Sequence, residues 1–152
     1  VQGGYEYEGK SYRGRNTFPA HSGFGIPRFN DCVSCHLDND ADHHFTVSLN
    51  KCNGCHNGDT YTAMAGSPKR NYEQIQLLKN QLKSLLTDSG VEMLDGYPYF
   101  SAITTEQQLK AAYNWQLASK EPAGYIHNGI YLRQLLYDAV EDMGGVPAGS
   151  RP

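Results

Sequence analysis

The sequence predicts a mainly α-helical chain with extensive loops, built as two unlike halves. The N-terminal half is organised by something other than its own side chains, and the C-terminal half is a unit of three packed helices. Three observations lead there. Core-forming residues are scarce and uneven: Val, Ile, Leu and Phe number 29 among 152 residues (19%), and only 10 of them lie in residues 1–70. That share falls in the range of disordered chains, but disorder also goes with a high net charge, and 13 basic against 16 acidic groups leave only −3. Apolar residues at helical spacing are confined to residues 71–152. The near-neutral balance excludes a strongly basic nucleic-acid binder, and no run of 18 apolar residues offers a transmembrane segment. By length the chain forms one compact domain.

Residues 1–17 are rich in Gly and Tyr (Gly3, Gly4, Gly9, Gly14; Tyr5, Tyr7, Tyr12) and have no helical period, so they read as an extended arm suited to docking on a partner. Residues 18–70 hold all four cysteines, in Cys32-Val33-Ser34-Cys35-His36 and Cys52-Asn53-Gly54-Cys55-His56. The C-x-x-C-H pattern is the attachment signature of c-type haem. Two thiols at this spacing reach the two vinyl groups of one porphyrin, and the adjacent imidazole falls beneath the iron. Cys32, Cys35, Cys52 and Cys55 are therefore expected to tether two covalently attached haem c groups, with His36 and His56 as proximal ligands.

A structural zinc site competes, because the two C-x-x-C pairs are separated by 16 residues, which suits a zinc ribbon. Histidine placement favours haem. With 6 His in 152 residues, chance alone puts one after both second cysteines about once in 600 sequences. Neither zinc nor a pair of disulfides explains the shortage of core residues in residues 1–70, whereas porphyrin fills it. Apart from a helical turn at each motif, residues 18–70 are expected to be loops wrapped on two closely spaced haems.

Four histidines remain for two distal positions: His21, His43, His44 and His127. A lone histidine is more often a surface or turn residue, but two irons in want of partners change that balance. Met64, Met93 and Met143 read as packing, so histidine is expected on both faces of both irons. The surplus has three readings. One histidine is not a ligand, or the chain is part of a longer cytochrome, or a histidine binds a haem of a neighbouring subunit and so builds a filament.

The C-terminal half reads as helices. Asn71 caps the first, which runs to about Asp88 on Ile75, Leu78, Leu82, Leu85 and Leu86 and stops at Gly90. The second begins at Thr104 or Thr105, with Gln107 or Gln108 completing a capping box, and carries Leu109, Ala112, Tyr113 and Leu117 up to Pro122. The third starts near Asn128, carries Leu132, Leu135, Leu136, Ala139, Val140 and Met143, and ends at Gly144-Gly145. Stripes at this spacing are core, with His127 delivered to a haem from the entrance of the third helix. No GxGxxG, P-loop or H-E-x-x-H motif is present.

These residues carry a resemblance. Phe18-x-x-His21, the two C-x-x-C-H motifs and Asp42-His43-His44-Phe45-Thr46-Val47 resemble the haem-binding segments of multihaem c-type cytochromes. Tyr97 to Phe100, Leu109 to Trp115, Glu121 to Asn128 and Tyr131 to Asp138 resemble the C-terminal region of outer-surface cytochromes of metal-reducing bacteria. The resemblance implies that His127, in its His-Asn motif, is a distal ligand, and it favours His43 over His44. It further implies electron transfer with redox-partner cytochromes, in the periplasm or at the outer surface, by a chain whose signal peptide has been removed. Such cytochromes usually carry many more than two haems. The alternatives are a subunit of a cytochrome filament, joined through the arm and the surplus histidine, and a haem enzyme with one open iron. Abundant histidine and the lack of a C-x-x-C-K motif oppose the enzyme.

Overall fold

In the computed structural model, the described residues are 3–13, 68–97 and 99–152, with side chains from residue 70 onward in the second stretch. They form a mainly helical unit: α1 (Pro68–Asp88), β1 (Glu92–Met93), β2 (Phe100–Ser101), α2 (Glu106–Lys120), α3 (Gly124–His127) and α4 (Gly129–Asp142).

The first helix begins three residues before the expected cap, at Pro68, whose fixed φ and missing N–H suit a first turn. Asn71 is thus inside α1 and does not cap it; its buried side chain bonds tertiary partners instead. At the other end the expected stop is present. Gly90 takes a φ of +92°, its N–H reaches Thr87 O at 3.0 Å, and Val91 N–H reaches Leu86 O at 3.0 Å. This is a Schellman ending, and it turns Val91 into the core. Gly144, at a φ of +80°, ends α4 in the same way, with Gly145 N–H donating to Val140 O.

Thr105 caps α2 through the predicted capping box: its hydroxyl accepts from Gln108 N–H at 3.1 Å, and Gln108 Oε1 accepts from Thr105 N–H at 3.1 Å. Gln108 is itself buried and its amide donates to Ser89 O, joining the start of α2 to the end of α1. Between these helices, Glu92 pairs with Ser101 and Met93 with Phe100 in a two-residue antiparallel ladder too short to be read from sequence.

The stripe on α2 differs from the expected one. Leu109 and Tyr113 are exposed at 56% and 46%, while Gln108, Ala111, Ala112, Asn114 and Ala118 are buried. The helix is turned so that two amides, each with a specific backbone partner, occupy inward positions that hydrophobicity alone would have given to Leu109 and Tyr113. Small alanines also let α2 approach its neighbours closely. The stripes on α1 and α4 match expectation: Ile75, Leu78, Leu82 and Leu86 meet Leu132, Leu135, Leu136, Ala139 and Val140 in one core, with Leu85, Leu117 and Met143 at its edge.

Residues 3–13 contain no helix and turn once between Tyr7 and Lys10, and they lie on their own chain. Asn114 Oδ1 accepts from Tyr5 N–H at 2.7 Å while Asn114 Nδ2 donates to Tyr5 O at 2.9 Å, so one buried amide imitates a strand partner. Gly4 N–H donates to Tyr131 OH, and Arg13 N–H donates to Gln134 Oε1. A Cβ on Gly4 would stand 2.2 Å from Leu135 Cδ1, so this close approach needs glycine. The C-terminal segment joins the same helix: Arg151 forks onto the buried Asp138 at 2.7 and 2.8 Å and also donates to Ser11 O.

Asp138→Ala strands Arg151 and removes the anchor of both terminal segments; urea unfolding followed by circular dichroism is expected to show a loss of about 3 kcal/mol, the low end for a broken buried pair because Arg151 keeps some exposure. Among the described residues the buried Tyr7 hydroxyl has no hydrogen-bond partner, so Tyr7→Phe is expected to leave stability unchanged or raise it by up to about 1 kcal/mol. Burial foremost pushes the phenols of Tyr7 and Tyr12 above their ordinary range. Above about pH 10 the unfolded chain sheds these protons and the folded chain keeps them, so stability falls with rising pH there, less steeply in Tyr7→Phe.

Candidate functional site

Of the residues expected to hold haem, Cys32, Cys35, Cys52, Cys55, His36, His56, His21, His43 and His44 lie outside the described residues, as does Met64. His127 is described, and its position is built from local rules. Glu121 ends α2, with its backbone N–H on Leu117 O, and Pro122 follows. The chain turns at once into α3, where Ala123 O accepts from Ile126 and His127 N–H and Asn128 N–H reaches Gly124 O. His127 is the last residue of α3, so it stands at the corner where the chain enters α4.

The ring is oriented by a carboxylate. His127 Nδ1 lies 2.8 Å from Glu121 Oε1, with the two side chains 42% and 30% exposed. An ionised carboxylate only accepts, so the neutral ring keeps its proton on Nδ1 and carries its lone pair on Nε2. This is the arrangement by which a carboxylate fixes the tautomer of a metal-binding histidine and strengthens its basicity. The chemistry of this donor fits an axial ligand to haem iron. Among the described residues no three His, Cys, Asp or Glu side chains converge, so the helical unit offers one axial donor and no closed metal cage.

Two close approaches hold the corner. A Cβ on Gly124 would come within 2.3 Å of Leu132 Cδ1, and one on Gly129 within 2.5 Å of Asn71 Nδ2. Asn71 Nδ2 donates to Tyr125 O at 3.3 Å and Asn71 Oδ1 accepts from Arg133 at 3.2 Å, so one buried amide ties α1 to both α3 and α4. Tyr72 and Tyr125 meet edge to face at 5.3 Å beside it. Arg133 is 5% exposed, and burial together with the nearby Arg70 cation pushes its guanidinium below the ordinary arginine range. The recess next to Glu121 and Tyr125 holds about 200 Å³, below the roughly 300 Å³ at which pockets begin to enclose a ligand. His127 is accordingly presented from the surface of the unit.

Sequence reasoning picked out His127 and missed its supports. Glu121 had a signal, a carboxylate six residues before the histidine across a proline turn. Asn71 and Arg133 had none, because only packing brings residues so far apart together. Met143 packs on the core edge, in keeping with its reading as a packing residue, and Met93 is half-buried in β1.

The chain is 23% identical to the C-type polyheme cytochrome OmcB of Geobacter sulfurreducens, in strains KN400 and PCA, over 184 aligned residues that cover 91% of this chain and 24% of the relative. It is equally similar, with the same coverage, to the C-type polyheme cytochrome OmcC of strain PCA. No family model matches the chain, and no solved structure matches it. The chain therefore resembles a region of polyhaem c-type cytochromes and spans about a quarter of the length of the relatives it matches.

Gly129→Ala is expected to push Asn71 aside and destabilise the helical unit by about 1–3 kcal/mol, as overpacking does. Thermal unfolding measures this, and Gly144→Ala, where nothing stands within 4 Å of the added carbon, gives a control for backbone strain alone.

Proposed function

We propose that this chain is a dihaem c-type cytochrome that passes electrons through two closely spaced haems, each clamped between two histidines. Cys32 and Cys35 tether one haem and Cys52 and Cys55 the other; His36 and His56 are the proximal ligands, and the distal ligands come from His127, His43 (or its neighbour His44) and His21. The observation that carries this reading is the pair of complete C-x-x-C-H motifs within 25 residues. The similarity to polyheme cytochromes and the orientation of His127 by Glu121 support it.

When bound, haem supplies a reversible one-electron change at iron. The chain's own residues set how that change occurs. Imidazole on both faces leaves no position for a substrate, which favours a carrier over an enzyme. The short connector between Cys35 and Cys52 keeps the two centres close. Thioether tethers and a histidine held by a carboxylate at a packed corner keep ligand geometry the same in both oxidation states, so little rearrangement accompanies transfer. The setting that suits such a protein is periplasmic or extracellular, after export, with other cytochromes as donor and acceptor. Among the described residues no helix is long and apolar enough to cross a membrane.

Intact mass and spectra test the reading. The purified chain is expected to exceed its bare polypeptide mass by two haems and to show low-spin bands only. His127→Ala is expected to convert one haem to a high-spin form that binds carbon monoxide when reduced, with far-ultraviolet circular dichroism unchanged. A mass matching the bare polypeptide rules out covalent haem, and a variant with both haems still low-spin removes His127 from the ligand set.

A further inference from the structure

The buried guanidinium of Arg133 is not used by the ligand scheme above. It lies in the second turn of α4 at 5% exposure, where an ionised side chain is costly unless a counter-charge meets it. Among the described residues its one hydrogen bond to a side chain goes to Asn71 Oδ1, a neutral acceptor, and its buried Nε has no partner. Asp138, the buried carboxylate farther along α4, is taken by the fork of Arg151. The other charge felt at Arg133 is that of Arg70, which is positive as well. A buried guanidinium with a neutral acceptor on one N–H and an unmet Nε is a cation that lacks its anion among the described residues.

Position says which anion. Asn71, which holds Arg133, also bonds Tyr125 O, two residues before His127, and it stands in the first turn of α1, where the chain arrives from the segment carrying both haem motifs. Arg133 thus belongs to the corner that presents His127. Haem carries two propionates, and a planar fork of N–H donors matches a carboxylate better than any other side chain does. We propose that Arg133, steadied by Asn71, is a carboxylate-binding residue that takes a propionate of the haem ligated by His127. This rests on the haem reading above.

The source of the carboxylate is the point to test, since an acidic side chain of the same protein has the same chemistry. Holoprotein grown on aminolevulinic acid labelled in its carboxyl carbon carries the isotope in the haem propionates alone. Redox-induced infrared difference spectra of this protein are compared for the parent, Arg133→Gln and Arg133→Lys, together with potentiometric titration. In Arg133→Gln, one label-sensitive carboxylate band is expected to shift and one of the two redox transitions to fall, because loss of a nearby positive charge favours ferric iron. Arg133→Lys, which keeps the charge, is expected to restore part of the potential while still moving the labelled band. If Arg133→Gln fails to accumulate, the labelled band in Arg133→Lys decides alone. A label-insensitive carboxylate band moving in its place, or no change in a folded, coloured variant, overturns the assignment. A colourless parent protein overturns the haem reading instead, which keeps the two failures apart.

Discussion

Burial of α4 is the constraint on which the other features depend. Ten of its fourteen residues are buried, and they are not all apolar: Tyr131, Arg133, Gln134 and Asp138 are enclosed together with Leu132, Leu135, Leu136, Ala139 and Val140. An apolar stripe needs only a partner surface, which α1 and α2 provide. Buried polar side chains need particular atoms at particular distances, because an unmade hydrogen bond in the interior costs more than a made one gains. The extended arm, the C-terminal segment and Asn71 exist in their observed places to supply those atoms. Tyr131 meets Gly4 and Glu6, Gln134 meets Arg13 and Pro152, and Asp138 meets Arg151.

That constraint reaches the candidate site through the chain itself. With α4 held on every side, its entrance cannot drift, and the single turn of α3 ending at His127 is pinned between Leu132 below Gly124 and Asn71 below Gly129. Glu121 then fixes the ring. On a free loop the His127 ring would sample several orientations; at the corner of a packed helical unit it holds one.

The residues legible from sequence are those whose rules are local. The C-x-x-C-H motifs are legible because two thiols and an imidazole fall within five consecutive residues. Thr105 and Gln108 form their capping box because the two partners are three residues apart, and Gly90 and Gly144 stop helices because left-handed φ is cheap for glycine. The stripes of α1 and α4 were legible because periodicity counts apolar residues, and there the core is apolar. On α2 the same count selected Leu109 and Tyr113, which are exposed, since Gln108 and Asn114 hold the inner face by hydrogen bonding to distant backbone. The arm read as a strip for docking on a partner, and the backbone pairing that it seeks is met by Asn114 of its own chain.

The sequence by itself determined the haem chemistry to be expected, the helical class, the cap of α2, the stops of α1 and α4, and His127 as a ligand candidate, because each depends on residues within a turn or two of one another. Only the tertiary structure decided which face of α2 is buried, that Asn71 is a cross-brace and not a cap, and that Arg133 and Asp138 lie inside. These outcomes hang on partners separated by tens of residues, and only packing determines which buried polar atom meets which.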